Sequence, residues 1–477
     1  MSENPENLEG TSSTLSPIGA PPTIEHPVLD EDYALNPSFV RSVIDALDQD
    51  DGEKMRRLLL PLHAADIADL LGLVSASERR ELVRLLSDNI DPDVLTELDP
   101  DVRDDVLSQL DPSIIAAAVQ AMESDDAVHL VEDMPHEERR TVLNQVRHVD
   151  RAAVEQALSY GEDCAGRLMQ REVITVPPFW TVGQVIDHMR ETKGLPDQFF
   201  EIYVVDESFH PIGSVPISRM MQAQRTISIT ELMDTDIQRI PASLDQGQLA
   251  YLFNQYHLLS APVVNEDQRL VGMVTVDDIV DVIKEEDTED ILALGGVKDE
   301  GLSDGVITTT RRRFSWLMIN LATAILASIV IAFFGATLEK FVALAILMPI
   351  VASMGGNAGT QTLTVAVRAI ATRDLTPSNA LRIIIREVLV GGLNGVLFAL
   401  LMGLIGGLWF QSWAIGGVLA AAMVINLICA GAAGILIPLG IQRAGADPAL
   451  ASTVFVTTVT DVIGFFVFLG LGALALG

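Results

Sequence analysis

Between Val388 and Gln442 the chain runs 55 residues without one charged side chain. A neutral, apolar run of that length suits a bilayer. At about 1.5 Å per residue, roughly 20 residues of helix cross a hydrocarbon core of ~30 Å. The run holds two crossings, and Trp409-Phe410-Gln411-Ser412-Trp413 divides it, since paired tryptophans favour the membrane–water interface. Two shorter neutral runs precede it, Phe314–Leu338 and Phe341–Val367. A last apolar stretch, Ala449–Ala473, carries one charge, Asp461. Five membrane-spanning helices are therefore expected within 311–477, an all-α polytopic membrane domain.

The rest of the chain is a different material. Residues 311–477 hold nine Lys/Arg and five Asp/Glu out of totals of 31 and 65. That leaves 22 and 60 for residues 1–310, a net charge of −38 against +4. So acidic a body repels nucleic acid and attracts cations, or simply stays soluble. Arg311–Arg313, Arg368, Arg373, Arg382, Arg386 and Arg443 fall on one side of the five spans, facing Glu339, Lys340 and the Trp turn on the other. The positive-inside rule then predicts a multi-pass protein of the cell (plasma) membrane, with a cytoplasmic N-terminal body and the C-terminus outside. The start MSENPENLEG has neither a basic cluster nor an apolar run, so no signal peptide is expected. Cys164 and Cys429 lie far apart and suggest neither a disulfide framework nor a metal cluster.

Within the acidic body, residues 1–36 are rich in Pro, Ser, Glu and Asn and predict a disordered tail. Residues 37–165 read as an acidic, all-α domain of stacked short helices. Asp91-Pro92, Asp99-Pro100 and Asp111-Pro112 punctuate it, Asp suiting an N-cap and Pro the first helical position. His63, His129, His136 and His148 are scattered through it and read as structural. Residues 166–285 contain an internal repeat. Leu168-Met169 is echoed by Leu232-Met233, Tyr203-Val204-Val205-Asp206 by Pro262-Val263-Val264-Asn265, and Gly213-Ser214-Val215 by Gly272-Met273-Val274. Strands alternate with short helices such as Val182–Glu191 and Gln246–Tyr256, an α/β pattern. It is similar to a tandem pair of CBS domains, modules that often bind adenine nucleotides or metal ions. Residues 286–310 predict a connecting helix and linker, with eight acids against Lys284 over 277–290. Asp278, Asp281, Glu285 and Glu289 share one face by their spacing, either as a solvated surface or as a cation-bridged one opposite Asp88–Asp105.

Asp461 carries the chemistry. An ionised Asp deep in a spanning helix costs about 2.5–3.5 kcal/mol unless a cation or water serves it. Thr453, Thr457, Thr458 and Thr460 around it supply oxygens and no positive charge. Cation conduction is the expectation. In the second span, Gly355-Gly356-Asn357-Ala358-Gly359-Thr360-Gln361 reads either as a close helix crossing or as pore-lining oxygens from Asn357, Thr360 and Gln361. An odd number of spans favours a homodimer if one pore is built around Asp461. Neither a phosphate-binding Gly-rich loop with Lys nor a catalytic His/Cys/Ser arrangement is present in the sequence, so an enzyme is not expected.

Taken in order, these pieces resemble the MgtE family of magnesium channels and transporters. The resemblance rests on Gly355–Gln361, Val367-Arg368-Ala369, Arg373-Asp374-Leu375, Ala446-Asp447-Pro448-Ala449 and Thr457–Val462, with Val274–Asp278 and Thr288–Ile291 in the soluble part. It implies a homodimer in the lipid membrane whose two Asp461 carboxylates hold hydrated Mg²⁺, an ion that gives up its waters reluctantly. It also implies sensor acids for cytosolic Mg²⁺ at Asp245, Asp278, Asp281, Glu286, Glu289 and Asp290, on and beside a plug helix. ATP is a candidate ligand of the CBS pair. Gly247 and His257 stand where some relatives place sensor acids, and Thr453-Val454 replaces an expected small-residue/Asn-Pro pair. The alternatives are an ion-coupled divalent-cation exchanger or exporter, or a non-conducting cation sensor.

Overall fold

The computed structural model describes residues 28–49, 51–87, 90–192, 195–196, 199–297 and 306–476, with backbone alone at 450–452. It divides into two compact units. One holds the chain through Ser243 together with Pro262–Met273; the other holds Leu244–Ala261 and the chain from Val274 onward.

The first unit opens with ten short helices: α1 (Pro37–Asp48), α2 (Gly52–Leu59), α3 (Ala64–Leu73), α4 (Ala76–Leu86), α5 (Pro92–Thr96), α6 (Pro100–Leu107), α7 (Pro112–Ala121), α8 (Ser124–Glu132), α9 (His136–Leu143) and α10 (His148–Ala157). Pro92, Pro100 and Pro112 each begin a helix. Asp91 and Asp111 accept bonds from the backbone N–H two residues on, whereas Asp99 holds the N-cap position without a side-chain bond. Helices this short are marginal alone and persist by packing. Val94, Leu95, Leu98, Val106, Leu107 and Leu110 are all buried in one continuous core. His63 caps α3 through Nδ1, a structural role. Of the expected tail, residues 1–27 lie outside the described residues. Residues 28–36 form a turn closed by a bridge between Leu29 and Leu35, and Leu35 is buried in the helical core.

The repeat follows as α11 (Ala165–Leu168), β1 (Thr175–Val176), α12 (Val182–Glu191), β2 (Glu201–Val205), β3 (Pro211–Pro216), α13 (Ile217–Gln222), α14 (Ile229–Leu232), β4 (Ile240–Pro241), α15 (Gln246–Tyr256), β5 (Ser260–Val264), β6 (Leu270–Thr275) and α16 (Val276–Leu294). Two three-stranded sheets result, β1-β2-β3 and β4-β5-β6, the first pair of each parallel. The echoed motifs have one structural cause. Gln170 exchanges two backbone bonds with Met273 on β6, and Asp234 does the same with Ser214 on β3. A Cβ on Gly272 would meet Gln170 O at 2.6 Å and Met169 Sδ at 2.9 Å. One on Gly213 would meet Asp234 O at 2.7 Å and Met233 Sδ at 2.9 Å. Each Leu-Met segment thus crosses to the other half's last strand, where only glycine leaves room.

The second unit continues through α17 (Val306–Phe333), α18 (Gly335–Lys340), α19 (Val342–Ala371), α20 (Ala380–Trp409), α21 (Trp413–Arg443) and α22 (Pro448–Leu476). Five of these are long and apolar enough to cross a membrane, as expected. The Trp turn separates α20 from α21. Small residues make the seam between these two: a Cβ on Gly391 would sit 2.5 Å from Leu427 O, and one on Gly395 2.9 Å from Val424 Cα.

Candidate functional site

Asp461 sits near the middle of α22, partly buried. It has no ion pair or hydrogen-bond partner among the described residues. The hydroxyls around it are committed in a telling way. Thr457 Oγ1 donates to Thr453 O (3.0 Å), Thr458 Oγ1 to Val454 O (2.6 Å) and Thr460 Oγ1 to Thr457 O (2.9 Å). On α19, Thr360 Oγ1 donates to Gly356 O (2.9 Å) and Thr364 Oγ1 to Thr360 O (3.0 Å). A hydroxyl whose proton is given to its own helix keeps only lone pairs to offer. Thr460 is fully buried, but the exposed Thr360 and Thr364 and the part-exposed Thr457 and Thr458 are acceptors, the right polarity for a hydrated cation.

α19 and α22 run antiparallel, and their glycines set the register. Asn426 of α21 fits between Gly355 and Gly464: a Cβ on Gly355 would overlap its Nδ2, and one on Gly464 would lie 2.9 Å away. A Cβ on Gly359 would meet Val456 Cγ1 at 2.6 Å and Thr460 Cγ2 at 3.5 Å. Asn357 therefore falls at the depth of Asp461, and Gln361 near that of Thr457. Asn357, Thr360, Gln361 and Thr364 are exposed on one stripe of α19, while Gly355, Gly359 and Leu363 are buried on another. Gly355 and Gly359 pack as a close helix crossing requires, and the side-chain oxygens of Asn357, Thr360 and Gln361 are exposed on another stripe of the same helix. Asn426 itself is 1% exposed. Its Nδ2 donates to Val351 O at 2.8 Å, and its Oδ1 has no protein partner.

The expected sensor acids separate into two sets. Asp281 and Glu289 are exposed on α16. Asp278 is partly buried near the helix start, where Oδ2 accepts the Thr275 hydroxyl at 2.9 Å. Glu286 and Asp290, one turn apart, face the unit's interior. Gln246 Nε2 on α15 donates to Glu286 Oε1 at 3.1 Å. Burial pushes the Glu286 carboxyl above the ordinary carboxylate range, and the charges of Asp245, Glu289 and Asp290 push it further, against the Gln246 bond. Burial likewise raises Asp290, helped first by Asp447. Gly247 lies alongside: its missing Cβ would stand 3.2 Å from Glu286 Oε2. Asp447 was read from the sequence only as part of a motif. It caps α22 by accepting from Ala449 N (2.8 Å) and adds a fifth carboxylate to Glu286, Asp245, Glu289 and Asp290. Among the described residues, no three His, Cys, Asp or Glu side chains converge closely enough to hold a metal. Asp88 lies outside the described residues, and Asp105 is engaged by Arg79 at 2.9 Å.

The end of α16 docks on the membrane helices. Ala293 shares a small buried cluster with Leu363, Val367, Ala449 and Val456, and Thr453 Oγ1 donates to Leu294 O at 3.0 Å. That bond serves a carbonyl at the C-terminus of α16, a group the helix leaves unpaired. Arg373, in the turn between α19 and α20, stacks 4.0 Å over the Tyr251 ring of α15.

Comparison with known proteins bears on this arrangement. A family model described as a divalent cation transporter matches residues 348–471, and one for the MgtE intracellular N domain matches 62–163. CBS domain models match 165–225 and 229–285. The Magnesium transporter MgtE of Thermus thermophilus is 34% identical over 330 residues, covering 68% of this chain and 73% of that one. The chain belongs to the MgtE family. The MgtE of Bacillus subtilis is 29% identical over 351 residues, covering 73% of this chain and 77% of its own. Among solved structures, the soluble part of a magnesium transporter covers 52% of this chain and 98% of its own, at 23% identity and a TM-score of 0.46. The cytosolic domain of the Mg²⁺ channel MgtE in complex with ATP covers 51% and 99%, at 28% identity and a TM-score of 0.47. Within the MgtE architecture, the matched membrane region contains both Asn357–Gln361 and Asp461.

Proposed function

We propose that this chain is a Mg²⁺ uptake channel, passing Mg²⁺ down its electrochemical gradient and closing when cytosolic Mg²⁺ is high. One observation carries the reading: Asp461 is a carboxylate uncompensated among the described residues at mid-span, level with Asn357, and the part-exposed Thr457 and Thr458 near it offer lone pairs alone. A hydrated Mg²⁺ needs acceptors and one or two carboxylates rather than a full protein cage. The membership of the family supports the choice of ion, and two relatives carry the name magnesium transporter. A homodimer bringing both Asp461 side chains to one axis completes the pathway, with the acidic body in the cytoplasm and the C-terminus outside.

Closure follows from the second cluster. Glu286, Asp290, Asp245 and Asp447 crowd together while α16 is docked, and the carboxyls of Glu286 and Asp290 are raised first by burial and then by the charges of these neighbours. Cytosolic Mg²⁺ relieves the repulsion between those charges and holds the end of α16 against α22. When Mg²⁺ falls, the docked state loses its counter-charge and α16 withdraws. This is a population shift driven by differential cation binding. ATP is proposed as a modulating ligand of the CBS pair, on the strength of that domain match.

The test is influx into liposomes loaded with a Mg²⁺-sensitive dye. The intact chain is expected to admit Mg²⁺ without ATP or a Na⁺ gradient, and Asp461→Ala to reduce influx at least about tenfold, since the lost carboxylate is worth more than ~1.4 kcal/mol to a mid-membrane cation. Flux that depends on Na⁺ or H⁺ would reassign the chain as an exchanger, and silence from folded protein as a sensor.

A further inference from the structure

α20 carries a face that no other described residue covers. Its glycine seam packs on α21, while Ile385, Leu389, Val390 and Leu393 stand exposed. Arg382 and Arg386, one turn apart, head the same face, and the six side chains line a groove of about 370 Å³. Both guanidiniums are open to an anionic ligand. Arg386 makes a long ion pair with the neighbouring Glu387, Nε to Oε1 at 4.0 Å, and its side chain stays 73% exposed, while Arg382 has no ion pair among the described residues.

Depth identifies the layer. Arg386 stands about 35 Å along the helix from Trp409, at roughly 1.5 Å per residue. With Trp409 at one interface, a hydrocarbon core of ~30 Å places Arg386 in the opposite headgroup layer. Arg382 lies one turn further out, and Leu389 and Leu393 lie inside the hydrocarbon. A second copy docked here about a two-fold axis along the membrane normal would press Arg382 and Arg386 against their own counterparts. That sets four like charges together at the edge of a low-dielectric region. An anionic lipid satisfies both ends: its phosphate pairs with the guanidiniums and its acyl chain fills the apolar groove.

We propose that this face of α20 is a binding site for an anionic phospholipid, held at its headgroup by Arg382 and Arg386 and along its chain by Leu389 and Leu393. This site goes beyond the ion pathway and does not depend on it.

The test is native mass spectrometry of the full chain released from vesicles of phosphatidylglycerol and phosphatidylcholine in equal parts. Each basic residue near an anionic surface contributes a factor of roughly five in affinity, so Arg382→Gln with Arg386→Gln should lower phosphatidylglycerol retention about 25-fold. Phosphatidylcholine retention should stay unchanged. The double Lys variant should keep most of the binding, and Arg443→Gln, at another exposed span end, should keep all of it. Equal phosphatidylglycerol on the glutamine variant, loss of both lipids alike, or an equal loss from Arg443→Gln would overturn the proposal. So would a change in subunit number without lipid loss, which would make the face a protein interface.

Discussion

Glu286 and Asp290 are carboxylates whose protonated forms the docked α16 favours, chiefly through burial and then through neighbouring acids. A carboxyl raised in this way contributes stability that is fully present below its ordinary pKa and is lost as pH rises through the raised value. The docked state, without Mg²⁺, should therefore loosen as pH climbs out of the carboxylate range toward neutrality. Mg²⁺ should restore it by standing in for the protons. Limited proteolysis of α16 across that window is expected to show the loosening, and Glu286→Gln with Asp290→Asn should abolish its pH dependence. The family resemblance marked these two residues, while helical spacing singled out Asp278, Asp281, Glu285 and Glu289 and left the facing of Glu286 and Asp290 open. That choice belongs to Gln246 and Asp447, which reach them from other segments. Gly247 shows the same point from the other side. Its missing side chain lies against Glu286, so the position that departs from the family pattern stands beside the acidic cluster.

At the scale of elements, the crossing of α19, α21 and α22 turns on one amide. Gly355 and Gly464 leave the room that Asn426 fills, and a methyl at Gly355 overlaps its Nδ2. Gly355→Ala is expected to cost about 1–3 kcal/mol by overpacking, read as a lower melting temperature in detergent. Gly356→Ala, one residue on and with open space at its Cβ, should leave melting unchanged or raise it. The contact of α16 with α22 is an element-scale device too. Thr453→Val removes the hydroxyl that serves Leu294 O, a bond worth ~1 kcal/mol. It should shift the closed-to-open balance about fivefold toward open, seen as faster influx at intermediate cytosolic Mg²⁺. The sequence marked Thr453 as one of the oxygens around Asp461 and as a departure from the family pattern; its bond to α16 became visible once Leu294 lay beside it.

For the whole molecule, the prediction is loss of feedback. Neutralising Asp278, Asp281, Glu286 and Glu289 together should yield channels that stay open in millimolar cytosolic Mg²⁺, because both the exposed and the docked acidic faces of α16 lose their claim on the ion. Currents that still shut off normally would move the sensor elsewhere in the acidic body.

What the chain's letters determine alone are the terms set by solvent and by local geometry. Charge-free runs had to become membrane helices, because lipid excludes charge whatever the fold. Asp-Pro pairs had to start helices, and the Leu-Met and Gly echoes had to mark a repeat. Asp461 stood out because one carboxylate in a neutral span is costly in any arrangement. Tertiary structure decided what depends on neighbours distant in sequence. It put Asn357 level with Asp461, Asp447 beside Asp290, and the end of α16 on α22. Those relations come from interlocking packing between segments, set here by glycines and one buried amide, and one-dimensional spacing carries no record of which segment faces which.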